Sequence, residues 1–134
     1  MSLLAKYHAL PEKVRMVLTA ILGALTGLVT YEILYALDPF EPRATTAWTA
    51  SFLIGIARQH GLHRVLTFTH KTAYWPSLAR AYAMYSGTLC CGTVLNWALT
   101  TQLGVDHRLA WFACLMTTAA ISLLLLKRFV FAER

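Results

Sequence analysis

Residues Trp48–Phe68 read W-T-A-S-F-L-I-G-I-A-R-Q-H-G-L-H-R-V-L-T-F. The first part, Trp48–Ile56, is an apolar run. The second, Ala57–Phe68, holds two arginines, two histidines and a glutamine. The charge-free part of the segment, Ala44–Ala57, makes about 21 Å of helix at ~1.5 Å per residue, and the hydrocarbon core of a bilayer is about 30 Å thick. A helix that crosses a bilayer from here must therefore continue through Arg58 and His60. That draws the polar cluster into or against the far leaflet. An arginine at a helix centre in lipid costs roughly 2.5–3.5 kcal/mol on insertion scales, so a group of such residues marks a functional site by default.

The rest of the chain fits a membrane protein. Of 134 residues, 57% are hydrophobic and 13% charged, with mean hydropathy +0.53; a soluble domain carries about 25% charged residues. Outward from the quoted stretch, apolar segments run over Val14–Leu37, Ala44–Leu66, Leu78–Leu103 and Leu109–Leu126. The last makes about 27 Å of helix, enough to span. Asp38-Pro39-Phe40-Glu41-Pro42 and Gly104-Val105-Asp106-His107 read as turns. Thr69–Ser77 reads as a loop, with Tyr74 and Trp75 as interfacial aromatics and Pro76 as a helix-entry proline. Ser2–Glu12 reads either as a short interfacial helix stopped by Pro11 or as a disordered tail. Met1–Lys13 lacks the pattern of a signal peptide, so the first apolar segment is expected to stay in the mature protein. The three cysteines, Cys90, Cys91 and Cys114, lie inside apolar runs without metal-ligand spacing and are expected to be packing residues.

The expected fold is all-α: a single domain over residues 1–134 with four transmembrane helices. Lys6, Lys13 and Arg15 flank the first segment, Arg58, Arg64, Lys71 and Arg80 surround the middle loop, and Lys127, Arg128 and Arg134 follow the last. The other two loops carry Arg43 and Arg108, each beside an acid. The positive-inside rule puts both termini and the middle loop in the cytoplasm. The net charge of +6 then belongs to one membrane face and requires no nucleic acid.

A two-helix unit (about 14–68) recurs (about 78–131). Slid without a gap, Gly23 falls on Gly87, Gly27 on Cys91, Glu32 on Asn96, and Leu62-His63-Arg64 on Leu126-Lys127-Arg128. Two parallel repeats of this kind are related by an axis along the membrane normal. Gly23/Gly27 and Gly87/Cys91 are small residues four apart, which lets helices approach closely.

The polar positions each admit two readings. Arg58 shares a helical arc with Ser51 and Gly55, so it points either into the bundle or, snorkelling, to the interface. With Gln59, His60, His63 and Arg64 it makes a candidate clamp for a lipid phosphate, since arginine offers a planar fork to phosphate oxygens. Lys127 and Arg128 either complete that clamp or simply end the last helix. Glu32 is expected to be protonated, paired or in a wet cavity. With Asn96 it makes a candidate site for sugar hydroxyls or a proton, or else a helix–helix hydrogen bond. Trp48, Trp97, Trp111, Tyr31, Tyr35 and Phe112 read as an aromatic belt before a sugar-stacking surface. His60 and His63 lack a third ligand, so no metal and no cofactor is expected. Nothing in the sequence is arranged for bond-breaking chemistry.

Leu62-His63-Arg64-Val65-Leu66-Thr67-Phe68 and Leu126-Lys127-Arg128-Phe129-Val130-Phe131 resemble the motif of the GtrA-like family of small four-helix membrane proteins, over about Val14–Phe131. That motif joins apolar residues to Asn-Arg or His-Arg, then an aromatic or apolar pair and Phe; His63 and Lys127 stand where Asn is common. The resemblance implies a bacterial cytoplasmic-membrane protein of cell-surface polysaccharide or glycolipid synthesis that flips a polyprenyl-phosphate-linked sugar. Membrane lipids are expected as partners, a homo-oligomer because four helices alone are few, and a membrane glycosyltransferase as a further candidate partner. Two other functions compete. One is a small proton-coupled exporter of cations using Glu32, disfavoured by the cationic cluster. The other is a non-transporting partner of a glycosyltransferase.

Overall fold

A computed structural model describes residues 1–67 and 73–129, with the backbone alone at 123 and 125–129. The described elements are helices: α1 (Leu3–His8), α2 (Glu12–Leu37), α3 (Arg43–Leu62), α4 (Tyr74–Trp97) and α5 (His107–Phe129). Helix α3 runs on into a π-helical turn, His63–Thr67, and α4 into another, Ala98–Gln102.

Helix ends follow local chemistry. The Ser2 hydroxyl accepts the Ala5 N–H at 3.2 Å and caps α1. Asp38, ahead of Pro39, is extended and ends α2. Its carboxylate accepts the Phe40 N–H at 2.9 Å and the Thr46 hydroxyl, tying the turn to the first turn of α3. These two bonds, Thr46 first, hold the Asp38 carboxyl below the usual aspartate range. Gly104 takes a left-handed φ of 65° after the second π-turn, a position that favours glycine. Asp106 then accepts the Arg108 and Leu109 N–H groups at 3.0 and 3.4 Å and caps α5. The expected loop over Thr69–Ser77 is corrected at its end: helix α4 begins at Tyr74, with Pro76 in its first turn. Of the two readings of Ser2–Glu12, the short helix ahead of Pro11 is the one observed.

Successive helices pack in order, α2 on α3, α3 on α4 and α4 on α5. At one end of the bundle lie α1 and the His63–Thr67 turn, joined by a 3.0 Å bond between His8 Nε2 and the Val65 carbonyl. At the other end lie the Asp38–Pro42 and Leu103–Asp106 turns. There Tyr31 of α2 closes the ring of helices, its hydroxyl 3.1 Å from His107 Nδ1 and its ring beside Trp111.

The interior is small and polar and the outside apolar. Buried positions include Thr19, Thr45, Ser51, Thr67, Thr88, Asn96 and Thr118 around a core of Tyr31, Ala47, Trp48, Trp111 and Cys114. Leu25, Val29 and Ile33 on α2, and Leu109, Phe112 and Met116 on α5, are exposed. An apolar surface of this extent needs lipid or protein to cover it. Among the described residues, α2 is long and apolar enough to cross a membrane on length and composition alone.

The aromatic belt is corrected in part. Tyr31, Trp48 and Trp111 are core, whereas Trp97 and Phe112 are exposed. Cys114 is buried, but Cys90 and Cys91 are exposed on α4. The small stripe packed inside on α4 is Thr88-Gly92-Asn96, one position along from Gly87 and Cys91. Gly87 meets no neighbour, whereas the Trp48 ring fills the notch at Gly92.

Candidate functional site

Arg58 leaves α3 toward α2. Helical side chains lean toward their own N-terminus, which lifts the guanidinium away from the helix end and along the bundle. Nη1 donates to Thr30 Oγ1 at 3.1 Å and Nη2 to the Gly23 carbonyl at 3.4 Å. A Cβ on Gly27 would stand 3.2 Å from Nη2, and one on Gly55 3.3 Å. Glycines on both helices thus make room for the charge. Gly23, Gly27 and Thr30 lie midway along α2, so the Arg58 guanidinium sits, half-buried, at mid-depth of the bundle. Its Nε is buried and has no hydrogen-bond partner among the described residues. Among the described residues it has no carboxylate partner, the ion pair being Glu32–Arg108.

Gln59 and His63 go the other way. Gln59 fills the notch at Gly23, and its Nε2 lies 2.9 Å from His63 Nε2. His63 Nδ1 lies 3.0 Å from Thr67 Oγ1, which lies 3.0 Å from Thr19 Oγ1. Thr19 is 3.2 Å from the Tyr7 hydroxyl, and Tyr7 donates to the Arg15 carbonyl at 3.1 Å. One direction satisfies this whole row: Gln59 N–H to His63 Nε2, His63 Nδ1–H to Thr67, Thr67 O–H to Thr19, Thr19 O–H to Tyr7, Tyr7 O–H to the carbonyl. In that arrangement His63 is neutral. The row ties α1, α2 and the π-turn together, which is what gives α1 its place.

His60 and Arg64 take a third direction, toward α4. His60 Nε2 lies 2.9 Å from the Ser77 hydroxyl, and its ring packs near Tyr74. The Arg64 guanidinium lies 5.6 Å from the centre of the Tyr74 ring, within cation–π range. His60 and His63 therefore face different partners. The backbone of Lys127 and Arg128 continues α5; their side chains lie outside the described residues, as do residues 130 and 131 of the second motif. The sequence cluster thus separates by depth and direction: Arg58 deep between α2 and α3, Gln59 and His63 in the strap that holds α1, His60 and Arg64 at the end beside α4.

Glu32 and Asn96 are not joined. Glu32 receives a forked contact from Arg108, 2.7 Å from Nε and 3.2 Å from Nη2, on the outside of α2 and α5. It is paired, one of the three states expected of it. Asn96 is fully buried and accepts the Thr45 hydroxyl at 3.1 Å. Its Nδ2 has no oxygen or nitrogen partner and stands beside the Cys114 sulfur, a weak acceptor.

Thr19, Thr30, Tyr7 and Arg108 were not among the candidate residues, whereas Thr67 shares the polar arc of Gln59, His60, His63 and Arg64. A signal existed for the first two. Thr19, Gly23, Gly27 and Thr30 recur every three or four residues on α2, the spacing of one helical face.

A family model described as GtrA/DPMS, transmembrane domain, matches residues 18–131. No curated protein and no solved structure matches the chain.

Proposed function

The chain belongs to the GtrA/DPMS transmembrane-domain family, whose members are associated with sugar-lipid function in membranes, and from that premise we propose that it moves a polyprenyl-phosphate-linked sugar between leaflets of a bacterial cytoplasmic membrane. In this reading α2–α5 are four spans, and both termini and the α3–α4 connection face the cytoplasm.

The observation that carries the reading is Arg58. A half-buried guanidinium at mid-depth, met by one hydroxyl and one carbonyl and by no carboxylate among the described residues, lacks the counter-charge that a partly desolvated cation favours. A lipid phosphate supplies it, and the planar fork suits phosphate oxygens. His60 and Arg64 at the cytoplasmic end collect the headgroup, joined by Lys127 and Arg128 in the proposed arrangement. Arg58 lowers the barrier halfway, and the prenyl tail stays in lipid along the apolar outside of the bundle. The chain breaks no bond. It equilibrates the lipid, and net movement follows consumption of the sugar on the far side. Self-association and a membrane glycosyltransferase as partner belong to the same proposal.

The test is transbilayer movement of a fluorescent polyprenyl-phosphate sugar in liposomes holding the purified chain. Protein-dependent movement that falls at least tenfold in Arg58→Ala is expected. Arg58→Lys should restore part of it, since a point charge replaces the fork. A folded chain that binds a glycosyltransferase but moves no lipid would overturn translocation in favour of the scaffold.

A further inference from the structure

At the end of the bundle away from α1, a cavity of about 370 Å³ opens between the α2–α3 and α4–α5 turns. Its size falls at the lower end of the roughly 300–1,000 Å³ that small-molecule sites span. Tyr35, Glu41, Arg43, Thr100, Thr101 and His107 line it.

These groups have capacity left over. Tyr35 and His107 stack face to face, 3.9 Å between ring centres and 3° apart in plane. That makes one rigid aromatic wall. His107 uses Nδ1 on Tyr31, which leaves Nε2. Arg43 lies 5.8 Å from the centre of the Tyr35 ring and has no carboxylate partner among the described residues. Glu41 uses Oε2 on the Arg43 N–H, which leaves Oε1. Thr100 donates to the Asn96 carbonyl at 2.8 Å, so its oxygen still accepts. The π-turn Ala98–Gln102 is what brings Thr100 and Thr101 to the cavity together, and π-turns recur at functional sites.

The chemistry differs from that around Arg58. One cation and one carboxylate nearly cancel, so the cavity has no marked preference for an anion. It offers both donors and acceptors beside stacked aromatic rings, the combination that matches a pyranose, whose hydroxyls both donate and accept and whose C–H face is apolar. We infer that this cavity binds a neutral sugar ring and receives the headgroup after its phosphate has passed Arg58. The second half of that statement rests on the translocation reading; the binding of a sugar ring does not.

The experiment is saturation-transfer NMR on the full chain in nanodiscs. The probes are methyl α-D-glucopyranoside, methyl α-D-mannopyranoside, methyl β-D-galactopyranoside and N-acetylglucosamine, with inorganic phosphate as competitor. Transfer to the ring protons of at least one glycoside is expected. It should survive phosphate and Arg58→Ala, and fall at least fivefold in both Arg43→Gln and Thr101→Leu, with helicity by circular dichroism unchanged. No transfer to any of the four glycosides overturns the site, even if lipid movement is intact. Transfer that phosphate abolishes, or that both cavity variants retain, overturns it equally. Glycoside binding without lipid movement would remove the translocation reading and leave the cavity as a sugar site.

Discussion

Two seams of the bundle use the same device for opposite ends. Between α3 and α4, Gly92 opens a notch and the Trp48 ring fills it, backed by Thr118. Between α2 and α3, Gly23 and Gly27 open notches and the polar ends of Gln59 and Arg58 fill them. A buried aromatic ring gains from dispersion and from leaving its surroundings dry. A half-buried guanidinium loses part of its hydration and recovers it through partners, and the buried Nε has none among the described residues. The first seam is therefore arranged for stability and the second at the expense of stability, which is the expected condition of a site that waits for an anion.

The contrast yields a graded set of expected outcomes. The largest is at the Trp48 seam. Gly92→Leu should prevent assembly of the bundle, and Gly92→Ala should cost ~1–3 kcal/mol by overpacking against a rigid ring, measured by unfolding in mixed detergent. At the other seam, Arg58→Ala should leave the unfolding midpoint equal to or above wild type while lipid movement falls tenfold or more. Equal loss of stability at both seams would remove the distinction.

Next comes the strap. Thr19→Val breaks the row at its middle and, at ~1–3 kcal/mol, takes from the buried Thr67 hydroxyl its acceptor, while Tyr7 keeps its bond to the Arg15 carbonyl. Hydrogen exchange of the α1 amides should rise with it, and that of α4 should not.

A smaller effect belongs to Asp38. Its depressed pKa means that the turn is steadied above the unfolded aspartate pKa and loosens as pH falls through the lower folded value. The Asp38 ¹³Cγ shift should titrate below the usual aspartate range, and Thr46→Ala should raise the midpoint. The smallest effect is expected of Glu32→Gln, because exposed ion pairs contribute little. Its unfolding midpoint and its lipid movement should stay close to wild type. A large loss of movement would mean that Glu32 acts in the path and not only on Arg108.

Some of the site was legible before any coordinates. Ser51, Gly55 and Arg58 share an arc by simple helical spacing, and the shortfall in charge-free length pulls α3 on through Arg58 and His60; α3 does run on into the π-turn. Glu32 was a residue in need of a partner, and one of its three expected states, pairing, is observed. The identity of the partner was out of reach, since Arg108 comes 76 positions later in the chain and no local pattern links the two. Gly87 and Cys91 carry the right spacing for close approach yet face outward, because spacing defines a stripe but not which way the helix turns it.

The helices, their ends and the apolar surface follow from local causes: hydropathy by segment, proline and glycine at turns, and a carboxylate able to cap. Each acts within a few residues, so each can be read along the chain. The division of one cationic stretch into a deep arginine, a strap of neutral hydrogen bonds and an end patch has a different origin. Long side chains go where a neighbouring helix leaves space and offers partners. That space is made by Gly23, Gly27, Thr30, Ser77 and Tyr74, residues which meet Arg58–Arg64 only once the helices have packed.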